Sequence, residues 1–213
     1  MITKNQIKLI KSLRLKKNRI QSGFFVAEGE KIVDELLKSD LEAVNIFSIS
    51  EKYKNLKNYI SINSTQLKQI SNLKSPNNVL GIFKIPANKE IDFNSNIVAL
   101  EEINDPGNLG TIIRTLDWFG FTQLVCSTKS VDAFNPKTIM ASMGSVFRLR
   151  PMYFDVSSLL KNSTSTIYGT FTEGNSIYQT SFSKPCTIVF GNESNGINPK
   201  LHSLINSKIS IPG

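Results

Sequence analysis

The 213-residue chain is 40% hydrophobic and 20% charged, with a net charge of +8. That is enough for one large domain or two small ones with a buried core, and no apolar run approaches the roughly 18–20 residues of a membrane span. Cys126 and Cys186 lie far apart without C-x-x-C spacing, and His202 is the one histidine, so neither a disulfide framework nor a metal site is expected and a reducing, cytoplasmic setting is. Residues 1–95 hold 16 Lys and Arg against 9 Asp and Glu, so +7 of the charge belongs to the first half. Lys4, Lys8, Lys11, Arg14, Lys16, Lys17 and Arg19 all precede the first acid. Such a cluster would attract a polyanion by displacing its condensed counterions, and it equally suits a solvated basic helix. Farther on, residues 28–38 read as a helix with Ile32, Val33, Leu36 and Leu37 on its apolar face. Residues 44–49 and 79–83 read as strands, with helical turns over 51–58 and 65–72. Proline and polar residues over 85–90 suit a linker, which closes a small α/β domain over residues 1–88.

Residues 95–213 form the second unit. The short apolar runs 97–100, 123–126, 166–169 and 187–190, each followed by a polar turn, suit a buried parallel sheet with helices on both faces. Ligands of such sheets bind at the carboxyl ends of the strands. The segments that follow Leu100, Tyr168 and Phe190 are therefore the candidates for chemistry.

After Leu100 the chain reads Glu101-Glu102-Ile103-Asn104-Asp105-Pro106-Gly107-Asn108, then Leu109-Gly110-Thr111-Ile112-Ile113-Arg114-Thr115. Asn, Pro and Gly all serve turn geometry, and a helix is expected from about Leu109–Thr111, with Ile112, Leu116 and Phe119 as its core face at about 100° per residue. Arg114 falls on the opposite side, one turn from Trp118; it is either an ordinary surface residue or placed to meet an anion beside Asn108. After Phe190 the chain runs Gly191-Asn192-Glu193-Ser194-Asn195-Gly196, a polar turn whose glycines permit close approach of backbone to a ligand. A helix over 199–206 should follow. Neither a P-loop nor a G-x-G-x-x-G fingerprint is present.

Together these segments resemble the first and second motifs of the SpoU (TrmH-like) RNA 2′-O-ribose methyltransferases. The run Ile209-Ser210-Ile211-Pro212-Gly213 resembles the opening of their third motif. Ala141 to Leu149 is similar to a stretch many members carry, and Gly23-Phe24-Phe25-Val26-Ala27-Glu28-Gly29 matches the start of their substrate-binding domain. The resemblance covers nearly the whole chain, with the motifs in order.

It implies an α/β architecture in which a small amino-terminal substrate-binding domain precedes a parallel-sheet methyltransferase domain. It implies S-adenosylmethionine as methyl donor, no metal, and a homodimer with the site near its interface. Carried over by position, Asn108, Arg114 and Glu193 form the catalytic group, and Thr170, Gly191 and Ile211 contact the cofactor. Arg14, Lys16, Lys17 and Arg19 are the candidate RNA contacts, with ribosomal RNA favoured over transfer RNA. Of Phe24 and Phe25, at least one belongs in the core; His202 reads as structural and Trp118 as an interface residue. Family members complete a trefoil knot with residues that follow the third motif, of which this chain holds only the opening. A non-catalytic RNA-binding relative is the alternative, and the presence of Asn108, Arg114 and Glu193 together counts against it.

Overall fold

The computed structural model describes residues 2–212. The amino-terminal part runs α1 (Lys4–Ser12), α2 (Lys16–Ser22), β1 (Phe24–Glu28), α3 (Glu30–Lys38), β2 (Ala43–Ser48), β3 (Tyr59–Ser61), α4 (Ser64–Ile70) and β4 (Val79–Lys84). Thr3 and Gln6 start α1 as a reciprocal capping box, and Gly23, at φ 71°, ends α2 in the left-handed conformation that favours glycine. The four strands lie in the order β1-β4-β2-β3, antiparallel except for β2 and β3.

Residues 85–96 lead into β5 (Ile97–Leu100), α5 (Pro106–Trp118), β6 (Leu124–Cys126), α6 (Pro136–Ser142), β7 (Met152–Tyr153), α7 (Val156–Asn162), β8 (Thr166–Ser176), β9 (Cys186–Phe190) and β10 (Ser207–Ser210). These six strands form a parallel sheet in the order β10-β8-β9-β5-β6-β7. Alternation along β5 divides its residues between the two faces. Val98 and Leu100 pack with Leu109 and Ile113 of α5, while Ile97 and Ala99 pack with Leu159 of α7 and with Leu201. Neighbouring strands β5 and β9 thus send the chain to opposite faces, and a crevice opens between them at their carboxyl ends.

The two sheets share one hydrophobic core. Phe25 of β1, fully buried, meets Phe134 at 4.6 Å and Phe147 at 6.1 Å between ring centroids. Arg19, 2% exposed, pairs with Asp132 at 2.6 Å across the junction and donates to the carbonyls of Leu13 (2.7 Å) and Arg14 (2.9 Å). Arg148 joins Glu35, and Arg150 joins Asp40.

Several sequence expectations shift. The helix expected from Leu109–Thr111 starts at Pro106, because Asp105 caps it by accepting from the Asn108 amide at 2.7 Å; Arg114 therefore lies in its third turn. Its buried face is Leu109, Gly110 and Ile113 rather than Ile112, Leu116 and Phe119, since α5 packs on α6 so closely that a Cβ on Gly110 would stand 2.6 Å from that of Ala141. Phe119 is 73% exposed. The helical stretches expected over 51–58 and 199–206 shorten to 3-10 turns at Glu51–Tyr53 and Pro199–Leu204, and β8 runs on to Ser176. Phe25 is the core member of its pair, and His202 lies within hydrogen-bond distance, at 3.0 Å, of the Ile197 carbonyl.

Candidate active site

The crevice is built from the loops that leave β5 and β9. Gly191 turns the chain at the end of β9, where a Cβ would stand 2.1 Å from the Gly196 carbonyl carbon, so only glycine lets the loop close on itself. Asn192 and Gly196 then bond each other's backbones, at 2.9 Å in both directions. The Asn192 side chain organises the turn, accepting from the amides of Ser194 (2.9 Å) and Asn195 (3.1 Å). Its amide nitrogen donates to the Glu102 carbonyl at 2.8 Å and so ties the β9 loop to the β5 loop. Glu102 adopts φ 53°, a conformation rare for a residue with a Cβ.

Across this seam Asn108 Nδ2 donates to Glu193 Oε1 at 3.0 Å, joining residues 85 apart in the chain. The other carboxylate oxygen lies 3.4 Å from Asn192 Nδ2. Both Asn108 and Glu193 are exposed to the crevice. Arg114 is not part of this pair. It is exposed on the side of α5 that carries Thr111 and Trp118, beside Met143 and Arg148, and makes no ion pair or side-chain hydrogen bond among the described residues. Arg114 follows Asn108 by six residues and falls about 120° away around the helix, so the two side chains of one chain point in different directions.

The proposed cofactor positions lie nearby in part. Thr170, half-buried, donates from Oγ1 to the Val189 carbonyl at 3.1 Å, beside Gly191 at the end of the adjacent strand. Ile211 lies one residue past β10 and is 64% exposed; no hydrogen bond joins it to Thr170 or Gly191 among the described residues. Phe190, 37% exposed, ends β9 on the side of the sheet that faces Ile112 and Leu116 of α5. Gly191, at the carboxyl end of β9 beside Thr170 of β8, stands where parallel sheets bind nucleoside cofactors.

Glu101, at the end of β5, is 9% exposed; burial, followed by repulsion from Glu102, raises its carboxyl above the usual range. Asn192 and Asp105 are the organising residues that the sequence reading quoted without a role. The Asn-Glu-Ser and Asp-Pro-Gly-Asn runs carried the signal, since Asx turns and caps use these residues at these spacings. Of the basic candidates, Lys17 is exposed, Arg14 donates to the Ser71 carbonyl at 2.9 Å, and Lys16 donates to the Ser130 carbonyl at 3.1 Å. Arg19 differs from these three: it is buried, with its guanidinium paired to Asp132. Among the described residues no helix is long and apolar enough to cross a membrane, and no group of three His, Cys, Asp or Glu could hold a metal.

Comparison with known proteins agrees with this fold. Residues 4–81 match an MRM3-like substrate binding domain. The 23S rRNA (guanosine(2553)-2′-O)-methyltransferase RlmP of Bacillus subtilis is 28% identical over 98% of this chain and 88% of its own length. The solved structure of a Porphyromonas gingivalis protein assigned to the TrmH family of RNA methyltransferases superposes with a TM-score of 0.91 at 30% identity, over 100% of this chain and 90% of that one. An AdoMet-bound rRNA methyltransferase from Sinorhizobium meliloti gives 0.85 at 26% identity, over 100% and 87%. Residues 95–213, which contain the crevice and the Asn108–Glu193 pair, match the SpoU rRNA Methylase family, and the chain belongs to that family.

Proposed function

We propose that this protein transfers a methyl group from S-adenosylmethionine to a ribose 2′-hydroxyl of ribosomal RNA. The observation that carries the reading is the hydrogen bond between Asn108 and Glu193 across the crevice of a SpoU-family sheet. The named substrates of the relatives support ribosomal RNA over transfer RNA.

Bound S-adenosylmethionine supplies a methyl carbon already activated by its sulfonium. The protein's task is to hold donor and ribose oxygen in line and to assist departure of the hydroxyl proton. Thr170, Gly191 and Ile211 hold the cofactor in this reading. Glu193, steered by Asn108 and Asn192, orients the 2′-hydroxyl by accepting its hydrogen bond. A guanidinium stays protonated and makes a poor base. Arg114 therefore serves as a cation, gripping a substrate phosphate and stabilising the charge that develops on the ribose oxygen.

Arg114 shares its helix face with Trp118, which is 85% exposed, and Phe119 beyond it is 73% exposed. Aromatic side chains so open to water favour a homodimer through this face, which would deliver Arg114 to the site of the second copy. A cytoplasmic setting is part of the same reading.

The test is methyl transfer from radiolabelled S-adenosylmethionine to ribosomal RNA from cells lacking the native modifications. Incorporation should map to a ribose and fall at least about a hundredfold in Arg114→Ala and Asn108→Ala. Full activity in Arg114→Ala removes its assigned role. RNA binding without any incorporation by the parent chain points instead to a non-catalytic binder.

A further inference from the structure

We propose that the cleft between the two domains is a second RNA site, which takes a nucleotide of the substrate strand flanking the one that is methylated. This rests on the reading of the chain as an RNA methyltransferase and adds a place of contact that reading does not assign. The cleft encloses about 500 Å³, within the roughly 300–1,000 Å³ typical of small-ligand sites. Phe134, Met152 and Tyr153 provide an apolar and aromatic wall, with Lys16 and Lys89 around it and Arg150 beside them already paired with Asp40. Asp132 is the sole carboxylate among the lining residues, and Arg19 already neutralises it at 2.6 Å.

An aromatic wall bordered by cations is the composition that binds single-stranded nucleic acid, with the base lying on the wall and the phosphate meeting the cations. The Lys16 ammonium stands 5.8 Å from the Tyr153 ring centroid and uses one of its three donors on the Ser130 carbonyl. Lys89 is exposed and joins none of the ion pairs among the described residues. Ile20, at the mouth, is 69% exposed.

The position relative to the active site supports a strand rather than a free nucleotide. The loop after β6 forms one wall of the cleft, and its Ser127 and Ser130 hydroxyls bond the amides of Glu102 (2.9 Å) and Ile103 (3.2 Å). Those residues lead directly from β5 to Asn108. The loop after β6 therefore borders the cleft on one side and the β5 loop of the crevice on the other, and a chain laid in the first runs on towards the second.

The test uses a fluorescein-labelled single-stranded RNA decamer, the full chain without S-adenosylmethionine, and anisotropy titrations over a series of salt concentrations. Lys89→Ala should weaken binding and lower the slope of log affinity against log salt by about 0.7, the value of one phosphate contact on a single strand. Ala87→Trp, at an exposed lining position, should lower affinity about tenfold with the slope unchanged, since it obstructs the base and leaves the charges. Affinity and slope unchanged in both variants, or no binding by the parent chain, overturns the proposal. Displacement of the decamer by equimolar adenosine monophosphate also overturns it, by identifying a mononucleotide site. A chain that binds the decamer through the cleft yet transfers no methyl group refutes the proposed function and leaves the cleft as an RNA site without the flanking-nucleotide role.

Discussion

Replacing Arg19 separates a structural role for the basic cluster from an RNA-binding one. The guanidinium is 2% exposed, bonds Asp132 through Nε (2.7 Å) and at 2.6 Å through a terminal nitrogen, and donates to two carbonyls at the end of α1. Arg19→Ala leaves the Asp132 side chain, 12% exposed, without its cation, and two backbone acceptors without a donor. Removing one partner of a buried ion pair costs about 3–5 kcal/mol. For a chain of this size each kcal/mol moves the thermal midpoint by about 2–4 °C, so a fall of roughly 6–20 °C is expected. The assay is thermal unfolding followed by circular dichroism, with urea titration as a second measure. Because one hydrophobic core spans both sheets, the parent chain should unfold in a single transition, and the variant should show the two domains beginning to separate. Arg19→Ala combined with Asp132→Leu should recover much of the loss, because the uncompensated buried charge is then gone. A midpoint within about 2 °C of the parent, accompanied by weaker RNA binding, would refute this reasoning and return Arg19 to the RNA-facing set.

Two further outcomes follow from the crevice. Gly191→Ala should weaken S-adenosylmethionine binding by calorimetry about tenfold or more, since overpacking costs about 1–3 kcal/mol and the new methyl would meet the Gly196 backbone; unaltered affinity would mean that the loop relaxes freely. Burial raises the Glu101 carboxyl pKa in the folded state, so its contribution to stability is fully present below the usual Glu value of about 4.3 and lost as pH rises through the folded value. Glu101→Gln should therefore raise the melting temperature at pH 7 with little change near pH 4, and an equal change at both pH values would show that ionisation is not involved.

The parallel strands were legible because β5 and β6 are short, fully apolar runs and β9 is broken only by Thr187, a pattern that local sequence defines by itself. The face of α5 was less so. Ile112 and Leu116 fit the helical period as well as Leu109 and Ile113 do, and the choice was made by the close approach of α6 at Gly110. The motif resemblance groups Asn108, Arg114 and Glu193, whereas the bond between Asn108 and Glu193 depends on Asn192 fastening one loop to the other, with Arg114 on another side of α5.

The sequence by itself determined the strand-and-helix alternation, the uneven distribution of charge and the polar loops that carry the family's motifs, since each is written in neighbouring residues. Only the tertiary structure decided what the basic cluster does. Lys17 remains in water while Arg19, two residues on, is buried against Asp132 from the other domain. Two residues of helix turn a side chain by about 200°, and whether the new direction meets solvent or a carboxylate depends on a partner 113 residues away.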